Sequence, residues 1–400
     1  MIIKPSIRSN LFTNSHPDGC ELNVLNQISE AKGKEKFEGP KNVLIIGGSS
    51  GYGLASRISL AFGSNSNTIN VCFESAPKGK RSGTAGFWNN VAFQKHVGNN
   101  GSIHTDFIGD AFSSDMKLNV LNYIKSEFGN IDLLVYSVAA GARKNEELDE
   151  LVYSKIKSIG KEVTGKTIDI SSNVVKELTI TGATDSEIKD TVYVMGGSDW
   201  SDWVNYLDEN EALNNGVKTI AYTYIGGETT KDIYRDGTLG KAKVDLETVS
   251  LKLNELLNKK YNGESLISSS KAVATKASIY IPQMPIYVAC LYEVMMNNDV
   301  NESILEHKYR LYKDMVYGNK RENDEKNRLR VDSFELSKNI QNETNKLMTS
   351  LSDDELLNLP GTKVFLKDLF QLNGFGYESI DYDKDINIES VKSKYKYHSI

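Results

Sequence analysis

The sequence predicts an α/β fold built on a doubly wound parallel sheet. Short apolar runs typical of buried strands alternate with helical stretches, and small or acidic residues follow directly where several of the runs end. Strand-like runs lie at residues 41–46, 68–73, 100–108, 131–136, 191–195 and 217–221. We therefore expect a sheet of about six or seven strands with helices on both faces.

The first strand runs into a glycine-rich loop, Gly-Gly-Ser-Ser-Gly-Tyr-Gly, at residues 47–53. A helical pattern follows at once, so the loop lies at a strand-to-helix turn whose N–H groups and dipole suit a pyrophosphate. The loop predicts a Rossmann-type dinucleotide cradle with the Gly-x3-Gly-x-Gly spacing of short-chain dehydrogenases, and a tight turn without a ligand is the alternative. The predicted cofactor-binding residues are Gly47, Ser49, Ser50, Gly51, Tyr52 and Gly53.

The second strand ends at Phe73 and Glu74, and Glu74 lies 23 residues after Gly51. A carboxylate about 20 residues beyond the loop is expected to bind the adenosine ribose hydroxyls. Both residues are assigned to the cofactor site, and Glu74 favours NADH because it repels the 2'-phosphate of NADPH. NADPH stays open, as does a solvated strand end, because three basic residues follow that can pair with a phosphate: Lys78, Lys80 and Arg81.

Two later strands end in small or acidic residues that belong to the same predicted sheet edge. Open α/β folds bind ligands at the carboxyl ends of their strands. By position, Asp110 and Ala111 are expected beside the adenine, and Ala139 and Ala140 beside the nicotinamide ribose.

A tyrosine and a lysine, Tyr234 and Lys243, are the candidate catalytic pair. In an ordinary short-chain dehydrogenase the two are four residues apart on one helix face. Nine helical residues turn about 900°, which would put this pair on opposite faces of a single helix. A regular helix therefore cannot hold both residues, and Lys241 is a rival for the lysine.

Glycines after Tyr234 resolve this difficulty. Gly237 and Gly240 interrupt the segment, and Thr238 is predicted to cap a helix running from about residue 239 to about residue 259. Tyr234 would then lie on the preceding loop and fold back over Lys243. The alternative is a surface tyrosine followed by a solvated helix start.

These residues resemble the enlarged enoyl reductases, which include trans-2-enoyl-CoA reductases and FabV-type enoyl-ACP reductases. The resemblance runs from residues 1–5 to residues 374–383, and the Tyr-x8-Lys spacing distinguishes this group from its shorter relatives. The stretches that match are the glycine loop, residues 73–74, 83–88, 109–112, 221–226 and 233–234, and Lys243.

The resemblance implies an NADH-dependent reduction of the 2,3 double bond of an enoyl thioester. It implies that Tyr234 donates to the thioester oxygen as an enolate develops and that Lys243 holds the nicotinamide ribose. Tyr224 would give a second hydroxyl to the substrate, and Thr275 would lie near cofactor and thioester, although a helix-surface hydroxyl is as plausible for Thr275. The carrier, CoA or acyl carrier protein, is left open with a preference for short-chain CoA.

Composition limits the other function classes. The chain has 400 residues, 39% hydrophobic content and a net charge of −6, which is typical of a globular protein and argues against nucleic-acid binding. The apolar stretch at 284–296 is too short to span a membrane. The resemblance implies that it neighbours the cofactor and the acyl chain, whereas its helical period favours a plain core helix. Three scattered cysteines favour a reducing cytoplasm, and the histidines show no metal spacing, so no metal is expected.

We expect one enlarged unit rather than separate domains. Residues 1–40 form an amino-terminal hairpin and helix, 41–300 the NADH-binding and catalytic core, and 301–400 a helical extension. Residues 76–100 are interpreted as a functional insertion and 301–350 as long amphipathic helices. A monomer is preferred. Two rival functions remain: a 3-oxoacyl thioester reductase, which would normally show the four-residue spacing, and a non-catalytic NADH sensor.

Overall fold

An eight-stranded, all-parallel sheet lies at the centre of the computed structural model, which describes residues 1–8, 10–98, 101–275 and 281–400. Across the sheet the order is β13-β12-β11-β6-β3-β4-β5-β14. These strands are β3 (Asn42–Ile46), β4 (Asn67–Cys72), β5 (His104–Ile108), β6 (Ile131–Tyr136), β11 (Leu213–Thr223), β12 (Glu264–Ser269), β13 (Arg328–Arg330) and β14 (His398–Ser399).

The direction of sheet growth reverses between β3 and β6. From β3 the chain passes outward to β4 and β5, and it then returns to β6 and continues through β11 and β12 on the other side. All five residues of β3 are buried, as expected of a central strand covered on both faces. In open α/β sheets ligands bind at the carboxyl ends of the strands at such a reversal.

Helices cover both faces of the sheet and form a further layer near the carboxyl terminus. They are α1 (Pro17–Lys32), α2 (Gly51–Gly63), α3 (Ala85–Val97), α4 (Ser114–Tyr123), α5 (Asp185–Met195), α6 (Ser198–Glu209), α7 (Thr238–Tyr261), α8 (Met284–Asn297), α9 (Ile304–Arg310), α10 (Lys338–Ser350), α11 (Asp353–Asn358), α12 (Pro360–Gln371) and α13 (Ile388–Lys392). Two π-helical turns, Ile124–Phe128 and Leu311–Val316, extend α4 and α9.

In the described part of the chain, three antiparallel hairpins lie outside the central sheet. The amino-terminal one, β1 (Ile7–Arg8) with β2 (Leu11–Phe12), precedes α1, as the sequence predicted. The other two were not anticipated and fall between β6 and α5. They pair β7 (Ala142–Asn145) with β8 (Glu150–Tyr153), and β9 (Val163–Asp169) with β10 (Val174–Ile180).

The strand predicted at residues 191–195 is wrong, because these residues form the end of α5. Thr184 and Glu187 make a reciprocal capping box at the helix start. Thr191 is buried, and its hydroxyl donates to the carbonyl of Glu187 one turn earlier. A short apolar run cannot distinguish a strand from a buried helix segment, and here the cap upstream sets the helix.

Two further expectations need correction. Residues 301–350 do not form long helices throughout: between α9 and α10 the chain leaves an exposed loop and adds strand β13 to the sheet. Residues 76–100, interpreted as a functional insertion, contain α3, which links β4 to β5 as an ordinary crossover helix. With β13 and β14 the sheet has eight strands, one more than the upper expectation.

The helix α8 is buried in the core that joins the sheet to the carboxyl-terminal helices. Apart from its carboxyl-terminal residues and Glu293, α8 is buried along its length, and it packs against α10 and α12. This confirms the expectation of a core helix at residues 284–296. In the part of the chain that the structure describes, no helix is long and apolar enough to span a membrane.

Candidate active site

Six loops converge at the carboxyl edge of the sheet, because each follows a parallel strand. The glycine loop follows β3, Phe73 and Glu74 follow β4, and Asp110 and Ala111 follow β5. On the other side of the reversal lie the loops after β6, β11 and β12. The predicted cofactor-binding residues therefore lie at the same carboxyl edge of the sheet, although they are far apart in the sequence.

Close backbone packing shapes the glycine loop. Gly47 has a φ of +91°, and a Cβ there would overlap the carbonyl oxygen of Ser137. A Cβ on Gly53 would overlap the carbonyl oxygen of Gly47. At Gly51, in contrast, a Cβ would meet nothing within 4 Å, so open space faces the start of α2. That space, beside free N–H groups at a helix N-terminus, fits a pyrophosphate.

A buried polar network beneath the loop fixes Gly48. The amide oxygen of Asn70 accepts the Gly48 N–H at 2.8 Å, and its amide nitrogen donates to Asp106 Oδ1 at 2.8 Å. Asp106 also forms a fully buried ion pair with Arg57 at 2.6 Å and accepts from Gln94 at 2.9 Å. Our sequence predictions did not include this network. Its signals were Asn70 inside an apolar strand and Arg57 inside an apolar helix.

The carboxylate of Glu74 reaches the glycine loop. Its Oε1 accepts from the Ser49 hydroxyl at 2.6 Å. Gly86 leaves room for it, since a Cβ there would overlap the carboxylate. Phe73 is 81% exposed, which leaves its ring available to a flat ligand. The basic residues beyond them lie exposed on a turn closed by the Lys78–Arg81 bridge.

The remaining cofactor candidates lie at the ends of β5 and β6. Asp110 accepts from the N–H of Phe112 at 2.9 Å, which fixes the turn. The Ala111 carbonyl accepts from the Trp203 indole at 3.1 Å. Ala139 and Ala140 lie in the irregular segment after β6, where the Ala140 carbonyl accepts from Ser154 at 3.2 Å.

Tyr234 lies on the turn before α7, as predicted. Its ring meets the ring of Tyr224 edge to face, with centroids 4.5 Å apart. Arg235 anchors this turn to α7 through two hydrogen bonds to Glu247, at 2.9 and 3.0 Å. Burial raises the pKa of Tyr234 well above its ordinary value, so the phenol is a neutral donor at neutral pH.

Lys243 is the lysine that points into the fold. Its ammonium donates to the carbonyl of Tyr222, near the end of β11, at 3.0 Å, whereas Lys241 is exposed. Burial lowers the pKa of Lys243 to about 8, against the opposing effect of Glu247. The predicted Thr238 cap is wrong: Gly237 is the N-cap, and the Thr238 hydroxyl donates to the Lys155 carbonyl of the preceding segment.

Tyr224 is buried against Tyr234, and its hydroxyl contacts a carboxylate that no sequence motif predicted. Its hydroxyl donates to Oε1 of Glu335 at 3.0 Å, and Tyr287 donates to the same oxygen at 2.7 Å. The N–H of Ala272 donates to Oε2 at 2.5 Å. Burial raises the pKa of Glu335 to about 7.

Thr275 lies at the end of the described loop after β12, half-buried and outside any helix. The following residues, 276–280, lie outside the described residues. Earlier in this loop the Lys271 carbonyl accepts from the Tyr52 phenol, which ties the β12 loop to the glycine loop. Lys308 packs against this junction, because its ammonium lies over the Tyr52 ring, 4.5 Å from the ring centre.

The described residues fit a nicotinamide dinucleotide at this edge. A glycine loop opens onto a helix N-terminus, a carboxylate stands at the end of the next strand, and a lysine and two tyrosines lie across the reversal point. Among the described residues no cluster of three or more His, Cys, Asp or Glu side chains is arranged to hold a metal ion. All three cysteines are buried.

Fold and site together define an enlarged Rossmann-type oxidoreductase with a dinucleotide cradle. Two family models match most of the chain: the NAD(P)H-binding domain of trans-2-enoyl-CoA reductase at residues 2–79, and the catalytic region of trans-2-enoyl-CoA reductase at residues 81–317. The chain belongs to the trans-2-enoyl-CoA reductase family.

Known proteins of this family resemble the chain along its whole length. A Clostridium beijerinckii protein named trans-2-enoyl-CoA reductase [NADH] is 43% identical, over 98% of this chain and 99% of the relative. A Photobacterium profundum protein named enoyl-[acyl-carrier-protein] reductase [NADH] 2 is 42% identical over the same shares. The crystal structure of Clostridium acetobutylicum trans-2-enoyl-CoA reductase with NADH superposes with a TM-score of 0.95 at 40% identity, covering 98% of this chain and 99% of that one.

A third family model, described as an enoyl reductase FAD binding domain, matches residues 323–386. The residues there do not fit a flavin dinucleotide. The glycine at the start of a helix, Gly361, is packed against α8, where a Cβ would overlap the Ala289 carbonyl. Within 323–386, all of which the structure describes, no strand runs into a glycine loop at a helix start. The segment instead supplies β13, Glu335 and the helices around α8.

Proposed function

We propose that this protein reduces the 2,3 double bond of a trans-2-enoyl thioester with NADH, giving the saturated acyl thioester. The preferred substrate in this proposal is a short-chain enoyl-CoA such as crotonyl-CoA. The observation that supports it most is the grouping of Tyr234, Tyr224 and Lys243 beside a dinucleotide cradle at one sheet edge. Full-length relatives named for this reaction point the same way.

In the proposed mechanism the cofactor is held by the glycine loop, by Glu74 at the adenosine ribose and by Lys243 at the nicotinamide ribose. The remaining predicted contacts are Ser49, Ser50, Tyr52, Phe73, Asp110, Ala111, Ala139, Ala140 and Thr275. When bound, NADH supplies the hydride that the β-carbon of the substrate accepts. Glu74 favours NADH over NADPH, because a carboxylate at that place repels a 2'-phosphate.

Tyr234 stabilises the negative charge that develops on the thioester oxygen. A neutral phenol suits this task, because it donates a strong hydrogen bond and its raised pKa keeps it protonated. Tyr234 or the neighbouring Tyr224 then provides the proton that completes the saturated product. Lys243 places a donor beside the same charge.

Enoyl-acyl carrier protein reduction is the second candidate, and the Photobacterium relative named for it supports this alternative. The carrier does not change the chemistry at the double bond. We prefer CoA because clostridial relatives, at up to 43% identity, are named trans-2-enoyl-CoA reductases. The proposal also takes the enzyme to be a cytoplasmic monomer. Three buried cysteines scattered along the chain are compatible with a reducing compartment.

The test is the loss of NADH absorbance on adding crotonyl-CoA, beside parallel reactions with acetoacetyl-CoA, crotonyl-acyl carrier protein and NADPH. The proposal predicts rapid oxidation of NADH with crotonyl-CoA and little with acetoacetyl-CoA. Oxidation with acetoacetyl-CoA alone would move the assignment to a 3-oxoacyl reductase. Binding of NADH without oxidation by any of these thioesters would favour the sensor.

A further inference from the structure

Glu335 is a buried carboxylate with no ion-pair partner among the described residues. It is fully buried in the turn after β13, and its hydrogen-bond donors are two phenols and one backbone N–H. Two charged groups act on Glu335 without a hydrogen bond to it. The charge of Asp332 opposes the ionisation of Glu335, and the ammonium of Lys271 attracts it. The other titratable groups that face it are the phenols of Tyr52, Tyr234 and Tyr292. A group so buried and so surrounded by neutral donors is suited to hold or release a proton.

The hydrogen bonds around Glu335 determine where such a proton would lie. Oε2 faces the N–H of Ala272, which can only donate, so a proton on the carboxyl must be on Oε1. Two phenol oxygens face Oε1. Tyr287 already accepts from the Gln341 amide at 2.9 Å, and that amide is oriented by its second hydrogen bond to the Glu335 carbonyl. The hydrogen of Tyr287 is thereby directed to Glu335, and Tyr224 is the partner that can accept.

Tyr224 has one hydroxyl hydrogen, so it can donate in one direction only. With Glu335 ionised, that hydrogen points inward to the carboxylate. With Glu335 protonated, the carboxyl donates to Tyr224, and the Tyr224 hydrogen no longer points to the carboxylate. Tyr287, which is also a hydrogen-bond partner of Tyr224, already accepts from Gln341, so the side of Tyr224 that faces Tyr234 is the direction left for this hydrogen. The ring of Tyr224 is held in place in either state. It packs against Tyr234, and Gly226 lies so close to the ring that a Cβ there would overlap Cε1 of Tyr224.

We propose that Glu335 is a positioning residue whose protonation state sets whether Tyr224 donates inward to the carboxylate or outward to the thioester oxygen. This inference rests on the proposed enoyl reduction. In the outward state Tyr224 donates a hydrogen bond to the enolate oxygen and Glu335 keeps its proton. The proton that completes the product comes from Tyr234, which solvent reprotonates before the next turnover. Atoms and charge balance, since the reduction consumes one proton for each hydride.

The inference predicts the pH dependence of turnover. Protonated Glu335 is the productive form, so the rate with crotonyl-CoA should fall as the pH rises through about 7, the raised pKa of Glu335. A second decline near pH 8 is expected from Lys243 and should persist in every variant with that lysine. The two declines distinguish a donor switch at Glu335 from the loss of charge on Lys243.

The test compares pH–rate profiles of wild type, Glu335→Gln, Tyr224→Phe and Asp368→Asn from about pH 6 to about pH 8.5. In Glu335→Gln the amide oxygen must face the Ala272 N–H, so its NH2 donates to Tyr224 and fixes the outward state. We expect activity within about threefold of wild type at the acidic end and no decline near pH 7. Tyr224→Phe should lose at least about tenfold at the acidic end and also lack the decline.

Asp368 is the matched control, because burial also raises its pKa, to about 6, although it does not contact Tyr224. Asp368→Asn should keep the wild-type decline near pH 7. An infrared difference spectrum between the two pH extremes supplies a readout independent of turnover. The carbonyl band of a protonated carboxylic acid should disappear on raising the pH in wild type and Asp368→Asn, and should not titrate near pH 7 in Glu335→Gln.

Three outcomes would overturn the inference in an active enzyme: a wild-type profile flat through pH 7, a Glu335→Gln profile that keeps the wild-type decline, or Glu335→Gln inactive at every pH although folded and able to bind NADH. Absence of crotonyl-CoA reduction by wild type at all pH values is a different result. It would refute the proposed function itself, and the inference with it.

Discussion

Replacing Asn70 by alanine should weaken NADH binding, although Asn70 is not one of the residues predicted to contact NADH. Asn70 is fully buried in β4, and it alone among the described side chains accepts the Gly48 N–H, at 2.8 Å. Its removal leaves a buried N–H without a partner, which costs about 1–3 kcal/mol. Asp106 also loses one donor but keeps Arg57 and Gln94, so we expect about 2–4 kcal/mol of lost unfolding free energy in total.

The effect on NADH arises because Gly48 belongs to the glycine loop. Once released, the loop must be reordered when the cofactor binds, and a cost of about 1.4 kcal/mol is a tenfold loss of affinity. We therefore expect the dissociation constant for NADH, measured by fluorescence titration, to rise at least about tenfold. Urea denaturation of the same variant measures the loss of stability.

Asn90 offers a matched control. It is equally buried and accepts from Asn70 at 3.1 Å, but its side-chain hydrogen bonds, with Asn70 and Cys72, do not involve the loop. Asn90→Ala should lower the unfolding free energy by a comparable amount and leave NADH affinity within about twofold of wild type. Equal NADH affinities for Asn70→Ala and wild type would refute the reasoning, as would equal losses of affinity in both variants.

Three further predictions concern the proposed site itself. Tyr234→Phe should lower turnover on the order of 100-fold with NADH affinity unchanged, and near-normal turnover would remove this residue from the mechanism. Glu74→Gln should raise kcat/KM with NADPH relative to NADH, measured with both cofactors, because the charge that repels the 2'-phosphate is gone; an unchanged ratio would contradict the role of Glu74. Lys243→Met should abolish activity yet stabilise the fold near pH 7 by on the order of 1–3 kcal/mol, since the folded state lowers the lysine pKa from 10.5 to about 8.

The sign of the Lys243 effect follows from proton binding. Between about pH 8 and 10.5 the unfolded lysine holds its proton more often than the folded one, so wild-type stability should rise with pH through this window. Below pH 8 the cost of burying the charge is fully present. Lys243→Met should lack this component of the pH dependence, and urea denaturation at several pH values would measure it. A stability curve unchanged by the substitution would contradict the lowered pKa.

Local patterns were sufficient to predict the cradle and the start of the sheet. The glycine loop, the buried strand before it and the carboxylate after β4 lie within one short stretch, and each has a sequence signature with a physical basis. The break between Tyr234 and α7 was also predictable, because two glycines follow Tyr234, although the capping residue was not Thr238.

Long-range features were not predictable in this way. Glu335 lies 111 residues after Tyr224, and no sequence motif around Glu335 predicts that its carboxylate binds the Tyr224 phenol. Strands β13 and β14 have three and two residues, too few to show a period of two, and they join the sheet only because their neighbours place them at its edges. The helix at residues 191–195 was mistaken for a strand because its apolar run is short and its cap lies seven residues upstream of Thr191.

Hydride transfer to the β-carbon is the central claim, and isotope labelling tests it most directly. NADH carrying deuterium at both C4 positions would be incubated with crotonyl-CoA and the wild-type protein in ordinary water, and the acyl product analysed by mass spectrometry and NMR. The account predicts butyryl-CoA with one deuterium at C3 and a solvent hydrogen at C2. Deuterium at C2, or no saturated product under conditions where NADH is bound, would contradict it.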